Sequence, residues 1–218
     1  MGGNIGVVAL QGPKWFFGID SVFELTGTLI LLMISIMSYK AYKLCKFKRY
    51  KYYSIAFFGL TLGHLARTIA NFAIHQEWFS LNELARIFLM GYGAHILLTL
   101  AALVLLIAWA FEIKEKKIFC GLMLLVLTML FVSSSYYIAF YWAAFVMFAF
   151  ITWFFFKNAR KRKAITPRLV ALSFLFLTIT QALFLTTSIL PELYLGAHIA
   201  QIFGFLILFI AIVKVQSR

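Results

Sequence analysis

The sequence predicts an all-α integral membrane protein with seven transmembrane helices, its N-terminus outside and its C-terminus inside. Three observations carry that prediction. The 218 residues are 64% hydrophobic and only 12% charged, with a mean hydropathy of +0.96, whereas a soluble domain is nearer half apolar and a quarter charged. Seven apolar segments are each long enough to cross a bilayer, which takes about 20 residues at a rise of about 1.5 Å per residue. The basic residues between those segments collect on alternate connections.

The spans are expected near 19–40, 54–74, 86–111, 118–135, 137–156, 169–190 and 193–214. The first opens with Asp20 and Glu24, which form a polar stripe with Thr28 and Ser35. In the second, His64, Arg67, Asn71 and His75 fall at i, i+3, i+7 and i+11 and so share one helix face. Ser80-Leu81-Asn82-Glu83 has the form of a capping box, which predicts that the third helix begins ahead of its apolar run. On that helix Tyr92, His95 and Thr99 lie close to one face. The fourth and fifth spans abut at SSSYY (133–137), where a re-entrant turn is the alternative to two full helices. In the sixth, Gln181 and Ser188 share a face, with Thr187 beside it. Pro191-Glu192 suits the first turn of the seventh, because proline loses no hydrogen bond there and an acid meets the positive end of the helix dipole. His198 and Gln201 follow on one face.

Orientation comes from charge. The 40–53 connection holds Lys40, Lys43, Lys46, Lys48, Arg49 and Lys51 with no acid. The 112–117 loop adds Lys114, Lys116 and Lys117. The 157–168 loop adds Lys157, Arg160, Lys161, Arg162, Lys163 and Arg168, and the C-terminal end adds Lys214 and Arg218. All but three of the 20 basic residues therefore fall on one side of a seven-span chain, while Asp20, Glu24, Glu77, Glu83 and Glu192 fall toward the other. The positive-inside rule makes the basic side cytoplasmic. The net charge of +13 is thus explained by topology and by contact with anionic lipids at the cytoplasmic loops, not by nucleic acid. The first 13 residues have no charged stretch leading into an apolar core, so no signal peptide is expected.

The tetrapeptide Gly-Ala-His-Ile occurs at 93–96 and again at 196–199. Residues 56–66 (AFFGLTLGHLA) and 173–183 (SFLFLTITQAL) precede the two copies in the same order, so that His64 aligns with Gln181 and His95 with His198. Spans 1–3 and 5–7 then form a parallel repeat, about 15–111 and 137–215, joined by a linker helix at about 118–135. Such a repeat implies a pseudo-twofold axis along the membrane normal. In span count and repeat logic this resembles the sugar-transporter and PQ-loop membrane proteins, although the Pro-Gln pairs of the latter are absent from spans 1 and 5. The segments FFGIDSVFELTGTLILL and YLGAHIAQIFGFLILFIAIVKV also resemble short seven-span membrane proteins of archaeal type. That likeness implies the fold and transfers no site.

Ionisable residues inside spans usually face a protein interior or a wet cavity. The expected ligand-binding set is His64, Arg67, Asn71, His95, Gln181, His198, Gln201 and Glu24, gathered in the outer half of the bilayer around a small polar solute or ion. Histidine protonation would gate it. An ion pair between Glu24 and Arg67 is expected whatever else the site does. A second reading places a b-type haem between His95 and His198, or a transition metal on His95, His198 and Glu24. A third treats the polar groups as interhelical glue in a structural or assembly subunit; a membrane or cytoplasmic protein partner is compatible with it. No HExxH, GxSxG or P-loop signature supports an enzyme. Without a lysine at mid-span there is no retinal Schiff base. Cys45 and Cys120 are too few for a disulfide framework and belong to no CxxC motif. Gly59 and Gly63, in GLTLG, have the spacing of close helix contacts.

Overall fold

The computed structural model describes residues 13–16, 18–74, 79–113, 115–133, 135–161 and 164–216. His75 and Glu77 lie outside the described residues. A short 3-10 turn, Lys14–Phe16, precedes seven α-helices: α1 (Ile19–Cys45), α2 (Lys48–Ile74), α3 (Leu81–Ala110), α4 (Lys116–Val132), α5 (Tyr136–Lys161), α6 (Ile165–Thr186) and α7 (Leu193–Gln216). There are no strands among the described residues. Five helices, α1, α3, α5, α6 and α7, are long and apolar enough to cross a membrane. The other two fall short for different reasons: α2 begins with Lys48, Arg49 and Lys51 and carries His64 and Arg67 along its length, and α4 has only 17 residues.

The helix ends follow local chemistry. α3 starts at the capping box, where the backbone N–H and hydroxyl of Ser80 both donate to Glu83 Oε2, at 2.9 and 2.7 Å. α4 stops at Val132, short of the predicted 135, and α5 begins at Tyr136, so two separate helices stand here, of which α5 is long enough to cross a membrane and the 17-residue α4 is not counted among those that are. α6 stops at Thr186, four residues before its predicted end. There the hydroxyls of Thr186, Thr187 and Ser188 turn back onto the carbonyls of Leu183, Phe184 and Leu185, and the Pro191 ahead has no N–H to continue a helix. Ser188 is consequently exposed beyond the helix. Pro191 and Glu192 form the turn that leads into α7 and are not its first residues.

Six helices close a ring. α1 packs on α2, α2 on α3, α3 on α5, α5 on α6, α6 on α7, and α7 returns to α1; α4 lies outside, against α3 and α5. The starts of α1, α3, α5 and α7 meet the ends of α2 and α6 at one end of the ring, as the contacts of Asp20 with Tyr194 and of Arg67 with Tyr141 require. The helix ends bearing Lys43, Lys48, Lys117, Lys161 and Lys214 form the other, where Gln216 Nε2 donates to the carbonyl of Met37 at 2.7 Å.

Polarity is inverted relative to a water-soluble protein. On α1 the buried face carries Asp20, Glu24, Thr28 and Ser35, while Leu25, Leu29, Met33 and Ile36 point outward. A soluble helix would bury the leucines and expose the acids. α2 and α3 approach closely along small residues. A Cβ on Gly59 would lie 3.5 Å from Ala102, and one on Gly63 would lie 3.3 Å from the His95 carbonyl. At Gly91 a Cβ would collide with Ala70 and crowd the Ala66 carbonyl. The glycines of the two Gly-Ala-His-Ile copies behave otherwise: nothing stands within 4 Å of a Cβ built on Gly93 or Gly196. Tight approach thus belongs to Gly91, two residues earlier.

Gly91→Val is expected to lower unfolding stability in detergent by about 1–3 kcal/mol through overpacking, whereas Gly93→Ala causes no loss. Equal melting temperatures for the two variants would rule out the α2–α3 contact described.

Candidate functional site

Arg67 sits seven residues before the end of α2 and is only 2% exposed. Its guanidinium reaches across the ring. Nε lies 2.7 Å from Glu24 Oε1 on α1. Nη1 donates to the Tyr141 hydroxyl of α5 at 3.2 Å and Nη2 to the Tyr194 hydroxyl of α7 at 3.3 Å. The rings of Tyr92 on α3 and Phe184 on α6 flank the charge at 5.7 and 5.5 Å. One side chain therefore touches every other helix of the ring.

The partners are themselves held. Asn71, one turn beyond Arg67, donates its Nδ2 to Glu24 Oε2 at 2.9 Å and accepts from the Tyr92 hydroxyl at 2.6 Å. Both Glu24 oxygens are thus engaged by α2. Asp20, one turn before Glu24, accepts from the backbone N–H groups of Gly18 and Ser21 and lies 3.5 Å from the Tyr194 hydroxyl. Gly18 takes a φ of +89° there, in the region that favours glycine.

One turn deeper than Arg67 the ring encloses a cavity of about 20 Å³, room for about one water molecule. Arg67, His64, His95, Thr99, Gln181 and Gln201 supply its polar wall, with Phe140, Phe184 and Phe205 among its apolar wall. The His64 and His95 rings meet edge to face at 5.1 Å. His64 Nδ1, His95 Nδ1, Thr99 Oγ1 and Gln181 Oε1 are all buried without a protein partner. Four such atoms on one small cavity are a concentrated cost, since each buried polar group left unmatched is unfavourable by about 1–3 kcal/mol.

Of the eight residues expected from sequence, His64, Arg67, His95, Gln181 and Gln201 line this cavity, and Glu24 and Asn71 stand behind Arg67. His198 is the exception. It is not part of the cavity wall. Its ring is enclosed by Phe16, Phe23, Phe184 and Tyr194, at centroid distances of 5.8, 6.0, 5.2 and 4.7 Å.

That placement gives the haem and metal readings no support. The observed histidine neighbour of His95 is His64 on the adjacent helix, not His198. A bis-imidazole haem needs a flat slot between opposed rings, but aromatic side chains fill the His198 surroundings and the central cavity has space for about one water. Glu24 is committed to Arg67 and Asn71 and does not converge with His95 and His198. Among the described residues no group of three or more His, Cys, Asp or Glu side chains has metal-binding geometry.

Tyr141, Tyr194 and Phe184 were not singled out by sequence reasoning. In a chain with 25 phenylalanines and 10 tyrosines, aromatic residues in α5 to α7 look like ordinary bulk. The available signal was the hydroxyl: a tyrosine in the first two turns of α5 or α7 falls at the ring end where Arg67 needs acceptors. Compared with protein-family models, characterised proteins and solved structures, the chain matches none.

Arg67→Met strands the Glu24 carboxylate in an apolar bundle and is expected to cost about 3–5 kcal/mol of stability. Arg67→Met with Glu24→Gln removes both charges and restores a large part of it. A double variant no more stable than the single one in denaturant titrations would dissolve the pairing. Tyr141→Phe deletes one hydrogen bond to a charged group, with an expected loss of about 1.5–3 kcal/mol.

Proposed function

We propose that the chain is a seven-span membrane protein of the transporter or receptor type. Its ligand is a small polar solute or ion, taken up in the polar cavity between α2, α3, α5, α6 and α7. The observation that carries this reading is the set of four unmatched polar atoms, on His64, His95, Thr99 and Gln181, around one cavity. The buried Arg67 charge is at least matched by the Glu24 carboxylate, whereas these four neutral groups face a cavity and are suited to something that enters. Space for about one water limits the ligand to that size in the described conformation, and a larger solute requires the ring to open.

The outward-facing N-terminus and the three-plus-one-plus-three repeat belong to the same proposal. Supporting them, the packing ring reads identically from either half: the first helix of each triplet meets the third of the other, α1 with α7 and α5 with α3. Each half also joins its first two helices by a hydroxyl pair, Ser35 with Ser54 and Thr152 with Thr178. The basic helix ends would face the cytoplasm, and the Asp20–Arg67 end the exterior. The resemblance to sugar-transporter topology is retained only at this level.

Thr99→Val and Gln181→Met test the function. Replacing an unmatched polar atom by an apolar group of the same shape is neutral or stabilising when no ligand uses it. The expected result is a melting temperature equal to or above that of the unaltered protein, with loss of the thermal stabilisation that small polar solutes and ions confer on it in a solute screen. If no solute or ion stabilises the unaltered protein, the structural-subunit reading replaces this one. For orientation, a membrane-impermeant maleimide is expected to label Cys45, exposed at the basic end, in a Cys120→Ser background only after cells are permeabilised. Labelling of intact cells would invert the topology.

A further inference from the structure

Outside the ring, α1 and α2 border an open groove of about 500 Å³, lined by Ser35, Ile36, Tyr39, Lys40, Lys43, Ser54, Ile55 and Phe58. Its chemistry is graded along its length. Lys40 and Lys43 stand near the basic end, with Lys43 Nζ 5.1 Å above the Tyr39 ring. Roughly 10 Å deeper, by the helical rise from Lys43 to Ile36, the walls become apolar. Ile36, Ile55 and Phe58 are each about half exposed, at 47, 49 and 49%. Beside Ile36 and Ile55, at the same level, lies a hydroxyl pair: Ser35 Oγ donates to the Ser54 carbonyl at 2.9 Å, and the two hydroxyl oxygens are 3.5 Å apart.

We propose that this groove holds one anionic phospholipid. The lysines take the phosphate, and an acyl chain follows Ile36, Ile55 and Phe58 past the serine pair toward the bilayer centre. Charge complementarity selects the occupant. Residues 40–51 carry six basic side chains and no acid, so a zwitterionic lipid, whose own cation offsets its phosphate, gains little there, while an anionic one gains about one charge contact per lysine. The order of the zones also matches a lipid and no soluble anion, because only a lipid has a use for the exposed apolar floor below the lysines. Ordinary surface attraction of basic loops to an anionic leaflet would need no groove at all.

Phosphatidylglycerol and phosphatidylcholine are the probes, titrated onto the detergent-purified full chain and counted by native mass spectrometry. The expected result is one tightly retained phosphatidylglycerol, weakened about tenfold or more by Lys40→Gln with Lys43→Gln, since each lysine near the membrane surface is worth about fivefold in affinity. Ile55→Trp, which fills the floor and keeps the charge, is expected to displace the lipid as well. Lys157→Gln with Lys161→Gln, the same charge change on α5, is the control and leaves binding intact. Equal weakening by the control pair, equal retention of phosphatidylcholine, or retention unaffected by Ile55→Trp in a protein that still elutes and melts normally would each overturn the proposal.

Discussion

The rest of the ring depends on keeping one guanidinium charged inside an apolar bundle. A lone ion buried in such a medium is prohibitive, and mutual attraction offsets the desolvation of a pair only when the remaining donors and acceptors are also satisfied. Arg67 draws on one carboxylate, two phenols and two ring faces from five helices. Each partner must approach from its own direction, so the requirement fixes the rotation of α1, α3, α5, α6 and α7 about their axes. Without water or a strong hydrophobic drive between helices in lipid, packing and such polar contacts are the means by which helices choose neighbours.

The contrast with the cavity one turn below is instructive. Around Arg67 most donors and acceptors find partners, and Nε faces Glu24 Oε1 as an ion pair without hydrogen-bond geometry. On His64, His95, Thr99 and Gln181 the cavity-side atoms find none, although the two regions share a helix and are about 5 Å apart along it. The unmatched groups around the cavity are what the proposed ligand-binding reading rests on. His198 provides the counterexample: it also lacks hydrogen-bond partners, yet aromatic rings enclose it on all the observed sides, and it offers nothing to a ligand in the cavity.

Much of the fold was legible because membrane helices declare themselves by apolar length and by charged ends. The α2 polar face and the Glu24–Arg67 pair were legible too, since i, i+3 and i+7 spacing in a helix leaves little freedom and a buried arginine demands an acid. Pairing across the ring was not. Sequence symmetry set His95 against His198, but symmetry in a ring gives equal depth, not contact. His95 on α3 and His198 on α7 belong to helices three places apart in the ring, and Phe16 and Phe23 from the first helix region close over His198. The tyrosines were hidden for a related reason: aromatic residues are abundant in the chain, and only geometry distinguishes a hydroxyl that meets Arg67 from one at a surface. Helix ends erred where hydroxyl side chains competed for backbone carbonyls, as at Thr186 to Ser188.

The composition of α2 bears on how the protein is made. Taken by itself α2 is not apolar enough to be counted with the helices that can cross a membrane, and Arg67, seven residues from its end, opposes insertion by no more than the roughly 2.5–3.5 kcal/mol that an arginine costs at a helix centre. The acid that neutralises it is on α1, which emerges from the ribosome first, with only a two-residue connection between the helices. In the seven-span topology proposed above, α1 and α2 would enter the bilayer as a hairpin, the carboxylate already waiting for its counter-ion. Glu24 would then act as a chaperone written into the preceding helix, before any ring exists.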